Sequence, residues 1–569
     1  MPASPSHVRY LVVGSAFLMS ALLYLDRFCI SIAEVYIQQD LGLTDRQVGW
    51  MLSAFFWTYA LGQVPAGWLT DRFGSRLMLT IYILAWSLLT GLTGVAGVFA
   101  ALLLLRFGFG FAQSGAYPTA ASIVSKWMPL QARGRASGII AVGGRVGGFL
   151  ALSATGYVLI WLTPISTPTE LRKSDILDGT QLSIELTERS DPVTPEETVR
   201  GRCLSALDSD TQERIRSFAK RQSLSAEEAT SLAEGLNQVI GQPGFFSTAE
   251  LKGISLEKEA TRLLGKPTSE LTAQQSQRLN RLVLEGLHRK SIKKLYVAGW
   301  RPMMFAYGSL GLFVAGLVWW SCRNNPSRHP WCNEAEVTLI RGDKPVKRDE
   351  DKKLGGVPIV PLLCSRSMWL CCVSQWFTNI GWVFLMTWAP RYFLSVHKVS
   401  VEELAMMVAI PPLVGWAGML SGGGVTDALV NRIGLRWGRA LPMSLSRFAA
   451  MGAYLAVWAS PSPWFAVAMF SVVAFATDFG TPSIWAYMQD AGGRHVGSIL
   501  GWGNMWGNLG AAVTPPLLIW IVGDTERWDL AFLTCATAFL LSGLAAAGIN
   551  ATIPIVPDEE ETLEAEVVG

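Results

Sequence analysis

Ionisable side chains recur inside apolar runs of this sequence, and their types suit the binding of a small anion. In "ALLYLDRFCISIA" (21–33), Asp26 and Arg27 stand side by side in an apolar run that reaches back to Tyr10. Arg106 and Arg145 interrupt later runs, and Asp478 lies in "FATDFGTPSIW". Arg447 sits nearer the end of its run, where a long side chain could snorkel outward. A charge at the centre of a membrane helix costs at least about 2.5–3.5 kcal/mol on insertion scales. Several such costs are tolerable only if the groups face a watery cavity or each other. Arginine presents a fixed fork of donors that matches a carboxylate. The alternative is internal pairing, with Asp26 serving Arg27 and with Asp478 serving Arg145 or Arg447.

Helical spacing gathers further polar groups onto the same faces. Arg27, Ser31 and Glu34 fall on one stripe, as do Arg106, Gly110 and Gln113. Gln375 with Asn379 and Asn504 with Asn508 repeat the pattern. Such amides could meet substrate hydroxyls, or could join helices to one another.

The elements that must carry these residues are membrane spans. Half of the 569 residues are hydrophobic and 16% are charged, against about 25% in soluble domains. Apolar stretches of about 20 residues, the length of a bilayer-spanning helix, recur along the chain. Many of the 23 tryptophans lie near their ends, as in an aromatic belt. Twelve spans are expected, near 10–33, 48–70, 77–97, 99–125, 135–162, 299–320, 367–389, 404–424, 438–459, 463–485, 497–521 and 530–550. Arginine and lysine concentrate in alternate short loops, which places those loops and both termini in the cytoplasm of a multi-pass protein of the inner or plasma membrane.

The expected divisions are helices one to five (8–162), a polar and helical extracytoplasmic insert (163–297), helix six (298–322), an inter-bundle loop (323–366), helices seven to twelve (367–552) and an acidic tail (553–569). The insert opens one helix with a capping pattern, Ser225 to Glu228. Net charge of +3 gives no reason to expect nucleic acid, and the eight cysteines have neither metal-site nor disulfide spacing. No cofactor is expected. "GGRVGG" lies inside a span with no preceding strand, so it reads as close helix packing and not as a phosphate loop.

The chain also repeats itself. "GWLTDRFGSR" (67–76) and "GGVTDALVNRIG" (423–434) share Gly, three residues, Asp, then Arg and Gly, six helices apart. The first fits G-x-x-x-D-R-x-G-x-R and resembles the signature loop of the major facilitator superfamily. The resemblance implies an all-α membrane protein, with twelve transmembrane helices in two pseudo-symmetric six-helix bundles and the insert between helices five and six. It also implies that Gly67, Asp71, Arg72, Gly74 and Arg76, with Asp427 in the repeat, hold one conformation and do not touch substrate. "YLDRFCISIA", "LRFGFGFAQSGAYPTAASIVSKWMPLQARGRASG" and "GWGNMWGNLGAAVTPP" resemble the first, fourth and eleventh helices of the anion:cation symporter family. That family includes galactonate, hexuronate and glucarate transporters and the vesicular glutamate and sialic acid carriers.

This closer resemblance implies that Arg27 and Arg106 bind a substrate carboxylate or position a coupling acid. It implies polar cavity residues at Asn379 and Asn504, and a substrate-facing tyrosine at Tyr59. Two positions depart from the pattern. The family's titratable Glu on helix four is here Gln113, which can contact substrate but cannot carry a proton. Arg145 stands where the family has small uncharged residues and offers a second anion contact. Asp26 and Asp478 are then the deep acids left for coupling. The expected function is secondary active transport of a small organic anion, such as a hexuronate or aldonate, by alternating access, with proton or sodium symport or with no coupling. The partners are that anion and the lipid bilayer. The alternatives are an organic phosphate exchanger and a transporter-derived sensor that uses the insert. An enzyme is not expected.

Overall fold

A computed structural model describes residues 4–556, apart from 165–166, 189–193, 220–223, 248, 252–253, 255, 343–355, 400, 460–461 and 523–526. The acidic tail from 557 and the middle of the basic inter-bundle loop therefore lie outside the described residues. The first half contains α1 (Val8–Leu41), α2 (Asp45–Phe73), α3 (Ser75–Thr93), α4 (Phe99–Ser114), α5 (Ala116–Trp127) and α6 (Arg133–Trp161). Six short helices follow, α7 (Gly179–Thr187), α8 (Pro195–Ser205), α9 (Ser209–Phe218), α10 (Ala226–Ile240), α11 (Lys258–Leu264) and α12 (Ala273–Leu287). Then come α13 (Trp300–Ser321), α14 (Glu334–Arg341) and α15 (Ile359–Cys364). The second half contains α16 (Arg366–Val383), α17 (Ala389–Ser395), α18 (Val401–Trp458), α19 (Pro463–Ala491), α20 (Val496–Val522) and α21 (Trp528–Ala547).

Ten of the described helices are long and apolar enough to cross a membrane. Three expected spans are built differently from the prediction. The fourth breaks at Gly115, between α4 and α5, close to Pro118, whose nitrogen carries no proton for the helix ladder. The seventh widens into a π turn over Phe384–Trp388, just before Pro390. The eighth and ninth join in α18 and part only at Gly434, whose φ of 82° is accessible to glycine at little cost. α2 is not among the ten, yet it packs along both α4 and α20.

Within the first half α1 packs on α6 and α3 on α13; within the second α18 packs on α19 and α16 on α20. The "GGRVGG" glycines explain the first of these contacts. A Cβ at Gly143 or Gly147 would collide with the backbone carbonyl of Phe17 or Ala21 on α1. The halves meet where α2 lies on α20 and α6 on α18 and α19. The short helices α7–α12 enclose an apolar core with Leu182, Leu232, Leu236 and Leu282 fully buried, continuous with Ile37 of α1 and Trp300 of α13. The expected capping box is present, with Ser225 and Glu228 each accepting the other's backbone N–H. Asp40 at the end of α1 ties α1 to the start of α13 through Arg301 at 3.0 Å and the Trp300 indole at 3.2 Å.

The first and last described residues and the described part of the inter-bundle loop share one face of the helix packing, the terminal face. Glu336 of α14 accepts hydrogen bonds from the Val8 and Arg9 backbone and from the Arg9 guanidinium at 3.0–3.1 Å. Ile555 donates to the carbonyl of Ala491 at the end of α19.

Candidate functional site

A cavity of about 190 Å³ lies between the halves, lined by residues of α1, α2, α5 and α6 on one side and of α16, α18, α19 and α20 on the other. Three guanidinium groups, of Arg27, Arg145 and Arg447, line it against one carboxylate, Asp478. Tyr59, Asn379 and Asn504 line it as well.

Arg27 is held from behind. Its Nε donates to Gln113 Oε1 at 3.2 Å, and Gln113 Nε2 donates to the carbonyl of Leu23 at 2.9 Å. The rings of Tyr24, Phe55 and Tyr59 surround the guanidinium at 4.3–4.8 Å. Its buried Nη2 has no hydrogen-bond partner. Gln113 is fully buried and does not line the cavity, so it orients Arg27 and cannot meet a solute there. Arg106 is also outside the lining. It stacks on Phe109 and on Phe55, the ring that also flanks Arg27.

Asp26 lies elsewhere, which corrects the expectation that it accompanies Arg27 at the site. Successive helix residues point about 100° apart, and Arg27 takes the cavity side. The Asp26 carboxylate is buried on the side of α1 toward Trp86 and Tyr307, away from the Arg27 guanidinium. Adjacent charges in sequence therefore do not form a pair.

Across the cavity, Arg145 Nη2 donates to Asp478 Oδ1 at 2.6 Å, joining α6 of one half to α19 of the other. The Trp382 ring lies 4.6 Å from the same guanidinium. Arg447 does not snorkel. Its side chain is buried and its Nη1 donates to the carbonyl of Thr477 at 3.0 Å, where Gly480 leaves room. Asn379 and Asn508 each donate one turn back, to the carbonyls of Gln375 and Asn504 at 2.9 and 2.8 Å. Asn379, Asn504 and Asn508 all line the cavity.

Residues that sequence reasoning missed extend the predicted stripes. Tyr24 lies three residues before Arg27, Trp382 three after Asn379 and Thr481 three after Asp478, all in the lining. Also in the lining, Tyr117 of α5 meets Trp485 of α19 with ring centroids 4.9 Å apart.

At the terminal face the repeated motifs bridge the halves symmetrically. Asp71, at the end of α2, accepts from the backbone N–H groups of Gly497 and Ser498 and from the Ser498 hydroxyl at 2.7–2.9 Å. Asp427 accepts from the N–H groups of Gly134 and Arg135 at 3.0 and 2.8 Å, and from Arg439 at 3.1 Å. Each carboxylate thus sits at the N-terminus of a helix in the opposite half, where unpaired N–H groups and the helix dipole favour negative charge. Helix ends supply most of the donors. Gly67 lets α2 approach α20, since a Cβ there would meet the backbone of Gly497. Gly74 has a φ of 90°, and the next turn is fixed by Asn324, which accepts from the Arg76 N–H at 3.0 Å. Arg76 donates to the carbonyl of Trp319 and stacks on its ring, while Arg72 is exposed over Trp68 and Phe73.

Known proteins share this architecture. The family model of the Major Facilitator Superfamily matches residues 16–166 and 295–515. The chain is 23% identical to the probable galactarate/D-glucarate transporter GudP of Bacillus subtilis, over 97% of this chain and 95% of the relative. It is 24% identical to the probable galactarate/D-glucarate transporter GarP of Escherichia coli, over 93% and 92%. A shorter region matches the D-galactonate transporter of Escherichia coli at 36% identity, over 28% of this chain and 36% of the relative. Among solved structures, FucP in the outward conformation aligns with a TM-score of 0.53 at 11% identity, covering 94% of this chain and 98% of that one. A double-tryptophan variant of XylE aligns with a TM-score of 0.55 at 13% identity, over 98% of each chain. The chain is therefore a multi-pass membrane transporter and not an enzyme; it belongs to the Major Facilitator Superfamily, related to bacterial galactarate, glucarate and galactonate transporters.

Proposed function

We propose that this carrier moves a small organic anion of the sugar-acid class by alternating access. The observation that carries the reading is the excess of guanidinium in the cavity, three groups against one carboxylate, with Arg27 keeping a buried donor unspent. A carboxylate at Arg27 would satisfy that donor, and a buried donor left unsatisfied costs about 1–3 kcal/mol. The amides of Asn379, Asn504 and Asn508 suit the hydroxyls of an acidic sugar. Relatives named as galactarate, D-glucarate and D-galactonate transporters support the same class.

The ten apolar helices, the division of α18 at Gly434 and the membrane-scale length of α2 support twelve spans in two six-helix bundles. The basic loops then place the terminal face in the cytoplasm and α7–α12 outside it. On that orientation the Asp71 and Asp427 contacts close the cytoplasmic side, and the state described is one in which the cavity serves the opposite side. Reconstituted vesicles offered D-glucarate, D-galactonate, D-glucuronate, a sugar phosphate and D-glucose test the reading. The anionic sugars should enter and glucose should not. Preferential uptake of glucose defeats the assignment, and preference for the phosphate favours an exchanger of organic phosphates.

A further inference from the structure

The cavity spends two opposite charges on each other across the boundary between the halves. The Arg145 side chain is 25% exposed, whereas that of its partner Asp478 is 2% exposed. An anion in the cavity can therefore approach the Arg145 side chain more readily than the carboxylate of Asp478. The second carboxylate oxygen of Asp478 is buried without a hydrogen bond. Arg447 stands near, but its Nη1 is directed to the carbonyls of Thr477 and Ala476 at 3.0 and 3.4 Å, and no hydrogen bond joins it to Asp478. Asp478 thus depends on Arg145 for its one direct charged contact.

We infer that Asp478 is the proton-carrying group of this transporter, kept ionised by Arg145 in the empty cavity and protonated when a substrate carboxylate takes Arg145 over. The inference rests on the anion reading above. In the step, the Arg145–Asp478 hydrogen bond breaks and a substrate carboxylate oxygen replaces Oδ1. One proton passes from hydronium in the open cavity to the freed carboxylate, leaving water and a neutral carboxylic acid. On the other side the anion leaves, the acid returns its proton to water, and the ion pair forms again. A buried carboxylate stripped of its partner is costly, so protonation accompanies substrate binding.

The surroundings favour a proton over a metal cation. Arg145 faces Asp478 from α6 and Arg447 from α18; a sodium ion would meet both positive charges and would need several oxygen ligands. The other titratable lining groups are Arg27 and Tyr24 on α1, Tyr59 on α2 and Tyr117 on α5, while α16 and α20 contribute uncharged groups. Gln113, holding Arg27, has no proton to give.

The test uses full-length carrier in vesicles that enclose a pH-sensitive dye, with D-glucarate as the probe. Wild type and Asp478→Glu should move protons inward with D-glucarate. Asp478→Asn should still exchange internal for external D-glucarate, but its coupled proton movement should fall at least tenfold. If Asp478→Asn does not fold, Asp478→Gln, which also removes the titratable acid and leaves Arg145 in place, replaces it with the same exchange and proton readouts. Coupled proton movement that persists in either amide variant overturns the inference alone. Wild-type vesicles that take up no D-glucarate or D-galactonate overturn the anion reading and this inference with it.

Discussion

Replacing Asp71 by alanine should release the terminal face and shift the carrier toward the state open on that side. The carboxylate accepts three hydrogen bonds across the halves, from two helix-terminal N–H groups and one hydroxyl. A hydrogen bond to a charged group contributes about 1.5–3 kcal/mol, and a carboxylate at a helix N-terminus adds about 0.3–1 kcal/mol. Three bonds on one carboxylate are not additive, and water repays part of the loss when the face opens. A net loss of about 2–3 kcal/mol moves the equilibrium roughly 30- to 150-fold. Asp71→Asn keeps one acceptor oxygen, so its shift should be smaller, on the order of 1 kcal/mol. Spin labels at Leu77 and Ile433, one in each half and both exposed, report the separation by pulsed electron resonance. The wild type should give a short distance and Asp71→Ala a longer population, with Asp71→Asn between them. Asp427→Ala should act in the same direction through the other half's contact. Unchanged distances in Asp71→Ala would refute the latch.

Arg27→Lys should raise the apparent KM for D-glucarate at least tenfold, because lysine keeps the charge but loses the fork and the stacking among Tyr24, Phe55 and Tyr59; an unchanged KM in uptake assays contradicts the anchor role. Apart from the membrane-length helices, the His288 ring is fully buried 2.7 Å from Glu185, and burial pushes its imidazole below the ordinary value. The unfolded region therefore binds more protons than the folded one below about pH 6.5, and its stability should fall as pH drops through that value. Hydrogen exchange in α12, compared at pH 7.5 and 5.5 after intrinsic correction, should show less protection at the lower pH, and His288→Gln should reduce the difference. Glu336→Ala should expose the N-terminal segment to protease by removing acceptors used by Val8 and Arg9; gel analysis of timed digests should show earlier cleavage before Tyr10 than in wild type.

The helices and the superfamily signature were legible because apolar length and the Asp71 motif are local properties of the chain. Rotation about a helix was legible only where a stripe was written. Arg27 and Asn379 reached the cavity, and their neighbours Tyr24 and Trp382 lay one turn away on the same faces. Asp26 misled because adjacency in sequence puts side chains on different helix faces. Arg447 misled because snorkelling depends on what packs above the residue. Gly480 opens a buried seat for its guanidinium, and no local pattern in α18 records that. The Arg145–Asp478 contact joins residues 333 positions apart, so sequence offered it only as one pairing among several.

The proposed function requires that carboxylate charge, and not the polyol, selects the solute. Equilibrium binding of D-glucarate and of D-glucitol to the purified carrier tests it most directly, because the second has the same six carbons without the carboxylates. D-Glucarate binding should be saturable and weakened at least tenfold by Arg27→Lys, with no D-glucitol binding at the same concentrations. Equal binding of the two, or tighter binding of D-glucitol, would contradict it.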